Sequence, residues 1–159
     1  MDKQKQIQKR EEGFTLIEIL VVIGIIAVLA AVVLVAINPA RQFKLARDSQ
    51  RVSNVTAILN AVSQNIAEHK GLFDCPVALP SVTKVISNMP ALAPNNTLNV
   101  GPCLVPTYIS ALPFDPSAQG AQYTPASDYH TAYSIIQDSD GRVTVSAIGE
   151  ITPDISVTR

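Results

Sequence analysis

The sequence predicts an α+β chain: a long N-terminal α-helix, membrane-spanning in its first half and amphipathic in its second, packed against a small C-terminal antiparallel β-sheet head. Three observations carry that prediction. Residues 14–37 form an apolar run long enough to cross a bilayer, with Thr15 and Glu18 as its polar members. Apolar residues then recur at helical spacing until Gly71, and every proline except Pro39 lies from Pro76 onward. Near the C-terminus, two β-rich runs flank an Asp-Gly turn. The 159 residues thus divide into a charged leader (1–13), an apolar segment (14–37), an amphipathic helix (38–71) and a loop-rich head (72–159) with a β-hairpin at about 131–148.

The formal net charge is −1, so the totals lack the basic excess that usually marks a nucleic-acid binder. The leader, MDKQKQIQKREEG, carries Lys3, Lys5, Lys9 and Arg10 and no apolar stretch, which suits a cytoplasmic segment. Arg41, Lys44, Arg47 and Arg51 follow the apolar run closely, so the positive-inside rule is balanced across it. A head outside the cytoplasm is therefore read from the signal-like first segment and from the cysteine pair.

As a helix, Phe14 to Ile37 would be roughly 36 Å long at about 1.5 Å per residue, against a hydrocarbon core of about 30 Å. A secretory signal has a shorter apolar core and a small-x-small cleavage site; Val28-Leu29-Ala30 is a poor match, though it is the place such a cut would fall. A plain anchor fits the length. Neither accounts for Glu18, since a carboxylate in a spanning helix costs up to roughly 2.5–3.5 kcal/mol at the centre and less near the interface.

The residues Gly13-Phe14-Thr15-Leu16-Ile17-Glu18, after a short basic leader and before an unbroken apolar run, resemble the prepilin peptidase site of type IV pilins and of the related pseudopilins of secretion and DNA-uptake systems. The resemblance implies cleavage between Gly13 and Phe14, methylation of the new Phe14 amine by the same membrane peptidase, and assembly into a helical filament. Glu18 would then meet the Phe14 amine of a neighbouring subunit. The physics is compatible: Glu18 lies about 6 Å along a helix from Phe14, in a low-dielectric layer where an unpaired charge is costly. A local role, complementing the positive end of its own helix, would contribute about 0.3–1 kcal/mol. The implied partners are copies of the chain or homologous pilins, the prepilin peptidase, an inner-membrane assembly platform and membrane lipid. The implied location is the bacterial cytoplasmic membrane, single-pass with the head outside, then a surface or periplasmic filament.

Asn38-Pro39 reads as a cap followed by proline at the first helical position, or as a kink in one continuous rod. His69-Lys70-Gly71 is a stop. Val52, Val55, Leu59, Val62 and Ile66 form one apolar stripe, which continues toward the membrane into Arg41, Lys44, Asp48 and Arg51. The expectation is that the head packs from Val52 onward and leaves the earlier, charged turns to lipid headgroups or neighbouring subunits. DNA is not expected there, because Lys44 with Asp48 and Asp48 with Arg51 are spaced as ordinary intrahelical pairs.

In the head, Cys75 and Cys103 allow one pairing, and outside the cytoplasm a disulfide is the expected state. Ser81 to Met89 places Val82, Val85, Ile86 and Met89 on one helical face, with Ser81 as cap and Pro90 as stop, and predicts a short helix. The prolines from Pro90 to Pro125 argue for loop. Thr131–Gln137 and Arg142–Ile148 around Asp138-Ser139-Asp140-Gly141 predict a hairpin, and Ile155 and Val157 an edge strand. The stretch Tyr108 to Pro116 is similar to the segment before the sheet in major pseudopilins, although Ser117 to Tyr123 departs from the aromatic-Gly and Tyr-x-Tyr pattern that follows there.

Catalysis is not expected. His69 sits at a helix end and His130 beside a tyrosine-rich strand, with no nucleophile constellation, phosphate loop or metal cluster around either. An EF-hand would need carboxylates where Ile136 and Ala147 stand. Asp138 and Asp140 are left as candidates for a looser calcium site, beside their ordinary reading as turn residues; no other cofactor is expected. The functional expectation is a structural filament subunit, and the alternative is a monomeric, membrane-anchored extracytoplasmic binding protein whose helix is only a tether.

Overall fold

The computed structural model describes residues 13–89, 96–124 and 128–159; residues 1–12 of the leader and Pro90, the expected stop after Met89, lie outside them. The chain forms two compact units that part between Ala40 and Arg41.

The first unit is built on α1 (Leu16–Ile37), an uninterrupted apolar helix of 22 residues with no residue buried. At 1.5 Å per residue it is about 33 Å long, enough for a bilayer core. It ends at Asn38, whose φ of 48° is left-handed. Asparagine tolerates that conformation better than most residues, so Asn38 closes α1.

The second unit starts on α2 (Pro39–Glu68). The helix stops where Lys70 and Gly71 both turn to positive φ, and the Gly71 N–H donates to the Ile66 carbonyl at 2.9 Å. Val55, Ile58, Leu59 and Val62 of α2 are fully buried. They pack on one face of a mixed sheet with strands β1 (Lys84–Ser87), β2 (Thr97–Leu98), β3 (Gln122–Tyr123), β4 (Tyr129–Gln137), β5 (Val143–Ile148) and β6 (Asp154–Thr158). The order is β2-β1-β4-β5-β6, with β3 also on β4. Along β4, Tyr129, Thr131, Tyr133 and Ile135 are buried while the residues between them are half-buried, the period of two that a one-sided sheet imposes. Burying each large aliphatic side chain contributes about 1.5–3 kcal/mol.

Two sequence expectations are corrected here. Residues 84–87 are a strand, not part of a helix: Val85 pairs with Ser134, Ile86 enters the core, and Val82 is 62% exposed. The spacing of Val82, Val85, Ile86 and Met89 suits a helix, but β-branched residues also suit a strand, and pairing to the long strand β4 decides it. The sheet is also not purely antiparallel, because β1 and β2 run parallel. Two residues of β2 are too few to leave a periodic signal. Within the predicted 90–125 loop, the described part contains β2, β3 and a short helix, α3 (Gly101–Leu104).

Cys75 and Cys103 form a disulfide with Cα atoms 5.4 Å apart, tying the segment after α2 to α3 across 28 positions. In the chain-entropy account such a closure contributes about 3–4 kcal/mol. Cys75→Ser is expected to lower the stability of the head by that amount, read as a fall in the urea midpoint that added reductant reproduces in the wild type.

Candidate functional site

The Gly13–Glu18 motif lies at the start of α1. Gly13, Phe14 and Thr15 precede the helix, and Thr15 is its N-cap with extended backbone angles. The Glu18 N–H donates to Thr15 Oγ1 at 3.2 Å, and the Thr15 N–H donates to Glu18 Oε2 at 3.5 Å. This is a reciprocal capping box. Glu18 therefore does more locally than complement a dipole: it satisfies a backbone donor that the helix cannot. The sequence carries the signal, threonine followed three residues later by glutamate, and the sequence reading passed over it. Only Oε2 is used, and Oε1 makes no hydrogen bond among the described residues. Both cap residues stand on the C-terminal side of the Gly13–Phe14 bond. A Cβ added at Gly13 would meet nothing within 4 Å, so the fold itself does not require glycine there.

The charged turns of α2 differ from expectation. Arg51 is only 3% exposed, and its Nε and Nη2 donate to the two oxygens of Asp115 at 2.6 and 2.9 Å, the bidentate arrangement a planar guanidinium favours. Its Nη1 donates to Asp48 Oδ1 at 2.7 Å, and Nη2 also reaches Ser117 Oγ at 2.8 Å. Asp48 in turn accepts backbone N–H groups from Glu150 and Ile151 at 2.8 Å and from Thr152 at 3.0 Å. Arg47 clasps Glu150 through Nε and Nη2 at 2.5 and 2.6 Å. The 149–152 loop comes so close that a Cβ on Gly149 would collide with the Thr152 carbonyl oxygen and crowd Asp48.

The head therefore engages α2 from Arg47, not from Val52, and Val52 itself is 47% exposed. The Arg51 guanidinium draws carboxylates onto the helix face, Asp48 beside it takes the backbone N–H donors of the 150–152 loop, and the apolar contact centres on Val55 with Ile58 and Leu59. Asp115 and Glu150 were missed as partners because nothing local marks them: each pairs with a residue far away in the chain. Three carboxylates converge here with the Arg47 and Arg51 guanidiniums as their cations.

Electrostatics follow from these contacts. Donation by the Glu150 and Thr152 N–H groups, helped by Ile151 and Arg51, outweighs burial and holds the Asp48 carboxyl well below the usual range. Burial pushes Asp115 up, but Arg51 and the N–H groups of Ser117 and Ala118 together bring it below its ordinary value. The Arg47 hydrogen bond, against burial and with help from Ser117, pulls Glu150 down to about 2.

The remaining candidates are dispersed. Asp138 Oδ1 accepts N–H groups from Asp140 and Arg142 at 3.0 and 2.8 Å, and its Oδ2 takes Arg142 Nε at 2.9 Å, with Gly141 at φ 83° completing the turn. Among the described residues, no group of three or more His, Cys, Asp or Glu side chains is arranged to hold a metal ion. His69 Nδ1 lies 2.8 Å from the Asn65 carbonyl and Nε2 3.2 Å from Asp74. His130 lines a trough of about 480 Å³ on the sheet face turned away from α2, together with Val85, Ala132, Ser134, Ser146 and Ser156; burial lowers its pKa.

Residues 8–34 match a family model described as the prokaryotic N-terminal methylation motif. The match spans the end of the leader, the Gly13–Glu18 motif and most of α1, and it supports a type IV pilin- or pseudopilin-like prepilin. No curated protein and no solved structure matches the chain.

Proposed function

We propose that this chain is a structural subunit of a type IV pilus or pseudopilus, cut by a prepilin peptidase after Gly13, methylated on the Phe14 amine and assembled through α1 into a filament with copies of itself or homologous pilins. The role is structural, not catalytic. The observation that carries it is the match over residues 8–34 together with an apolar α1 that buries nothing in its own chain. A helix of that kind needs lipid, other helices, or both in turn. The head supports the reading by being self-contained: its core, its disulfide and its ionic clamp all lie beyond Arg41. A disulfide suits a head outside the cytoplasm.

Glu18 has a double part in this proposal. One oxygen caps its own helix, and the other is available to the Phe14 amine of the next subunit. Since Thr15 and Glu18 both survive the cut, removing the leader creates the amine without unwinding the helix start. A glycine that the fold does not need at position 13 is consistent with selection by a peptidase.

The test is the intact mass of the full chain co-expressed with a prepilin peptidase. A mature start at Phe14 carrying the mass of one methyl group is expected. A retained leader, or a cut after Ala30, would overturn the proposal and favour the membrane-anchored monomer or a secreted form.

A further inference from the structure

We propose that the outer edge of β6 is a docking strand: an extended segment of a partner protein, bearing a lysine or arginine, adds to the sheet beside it and sets that cation against Asp154. The inference rests on the head alone and goes beyond the filament reading, by naming a second contact surface and the chemistry of what binds there.

The edge follows from register. β6 stands last in the order β2-β1-β4-β5-β6. Val143 and Arg159 exchange both backbone hydrogen bonds, at 2.6 and 2.9 Å. In an antiparallel pair such exchanges recur at every second residue, so Val157 and Ile155 face their partners Val145 and Ala147 in the same way. The N–H and C=O groups of Asp154, Ser156 and Thr158 therefore point away from β5, and none of them has a partner among the described residues. Edges that stay single are commonly blunted by proline, lysine or a bulge. Between Asp154 and Thr158 there is no proline or lysine, and the five pairs with β5 run without a shift.

Side-chain chemistry selects the occupant. Ile155 and Val157 belong to the core face, so Asp154 and Ser156 turn to the other one, where they form the β6 wall of the trough that also holds Ser146, Ile148 and His130. A strand laid about 4.8 Å beyond β6 directs every second side chain onto that face. Asp154 is exposed, makes no hydrogen bond or ion pair among the described residues, and is the one carboxylate lining a trough that has no lysine or arginine. Burial lowers the pKa of His130, so the other titratable group there is neutral near pH 7 and does not repel a cation. Ile148, 82% exposed, offers apolar surface to the stem of a long cationic side chain. In strand addition the main chain supplies affinity and alternate side chains supply specificity; here the edge provides the first and Asp154 the second.

The test titrates the full chain, in detergent micelles, with a capped and dye-labelled heptapeptide of alternating valine and threonine with lysine at its centre, read by fluorescence polarisation. Binding is expected. Asp154→Asn should weaken it by up to about fivefold, the scale of one exposed ion pair, and should leave the affinity of a glutamine-centred peptide unchanged. N-methylation of one alternate set of peptide amides should abolish binding, while N-methylation of the other set leaves it intact. Ser156→Pro takes away an outward donor and no bond to β5, so it should abolish binding while near-ultraviolet circular dichroism keeps its wild-type form; if that signal is lost, the pair of N-methylated peptides decides. No binding of the lysine peptide, or equal loss from either set of N-methyl groups, would overturn the strand addition. Equal affinities of the lysine and glutamine peptides would overturn the cation. A wild-type dimer in analytical ultracentrifugation that Ser156→Pro dissolves, with no peptide bound, would give the edge to a second copy and overturn the proposal as well.

Discussion

Arg51→Ala is expected to cost the head about 3–5 kcal/mol, the largest effect of any single charge change in the chain. The side chain is buried, it holds Asp115 through two hydrogen bonds, and it shares Asp48 with the loop at Glu150–Thr152. Removing it leaves two carboxylates out of water without their cation. Arg47→Ala removes a more exposed pair with Glu150 and should cost no more than about 1 kcal/mol. All four tyrosines, Tyr108, Tyr123, Tyr129 and Tyr133, lie in the head, so near-ultraviolet circular dichroism of the full chain in detergent during urea unfolding reports the difference. A wild-type midpoint in Arg51→Ala would show that the clamp does not hold the head to α2.

The same cluster sets an acid limit. Asp48, Asp115 and Glu150 all have folded pKa values below their ordinary ones, with Glu150 at about 2. A carboxylate depressed on folding stabilises the protein above its unfolded value of about 4 and loses that contribution as pH falls through its folded value. The contribution of these carboxylates to the urea midpoint should therefore be constant from about pH 5 upward and should fall as the pH drops from about 4 toward 2; His130, whose pKa burial lowers, adds a separate decline as the pH drops below its ordinary value of 6.5. In Arg51→Ala the fall should begin at higher pH, because burial then acts on Asp115 without the opposing guanidinium.

Glu18→Ala is expected to leave membrane insertion intact and to abolish or severely reduce filament formation. The apolar run alone is long enough for insertion. The substitution removes the cap on Thr15 and, in the proposed filament, the carboxylate that would meet a neighbouring Phe14 amine. Glu18→Gln separates the two roles, since glutamine serves the capping box as well as glutamate does but carries no charge for an amine. Loss of assembly in both variants, with helix content unchanged in Glu18→Gln, is the expected pattern and assigns the effect to the charge. Full assembly by Glu18→Gln would reduce Glu18 to a cap, and normal filaments from Glu18→Ala would end its role in register. Electron microscopy of sheared cell-surface or periplasmic fractions provides the readout.

How much of this was legible in the sequence depends on distance along the chain. The span, the Gly13–Glu18 motif, the Gly71 stop and the Asp138–Gly141 turn are each written within a few residues and could be read directly. The capping box was equally local and was overlooked. The segment at 84–87 was legible only as apolar and β-branched; whether it coils or extends was settled by the ladder it makes with β4.

The sequence by itself determined that a membrane-length apolar helix follows the Gly13–Glu18 motif and that a β-rich head lies beyond it, because apolar periodicity, caps and turns are set by neighbours in the chain. Tertiary structure alone decided where that head takes hold of α2. Arg51 finds Asp115 at a separation of 64 residues and Glu150 at 99. No local pattern encodes such a meeting, since it exists only after the sheet has folded back onto the helix. Once it does, it draws Arg47 and Arg51 of α2 into one cluster with Asp48, Asp115 and Glu150.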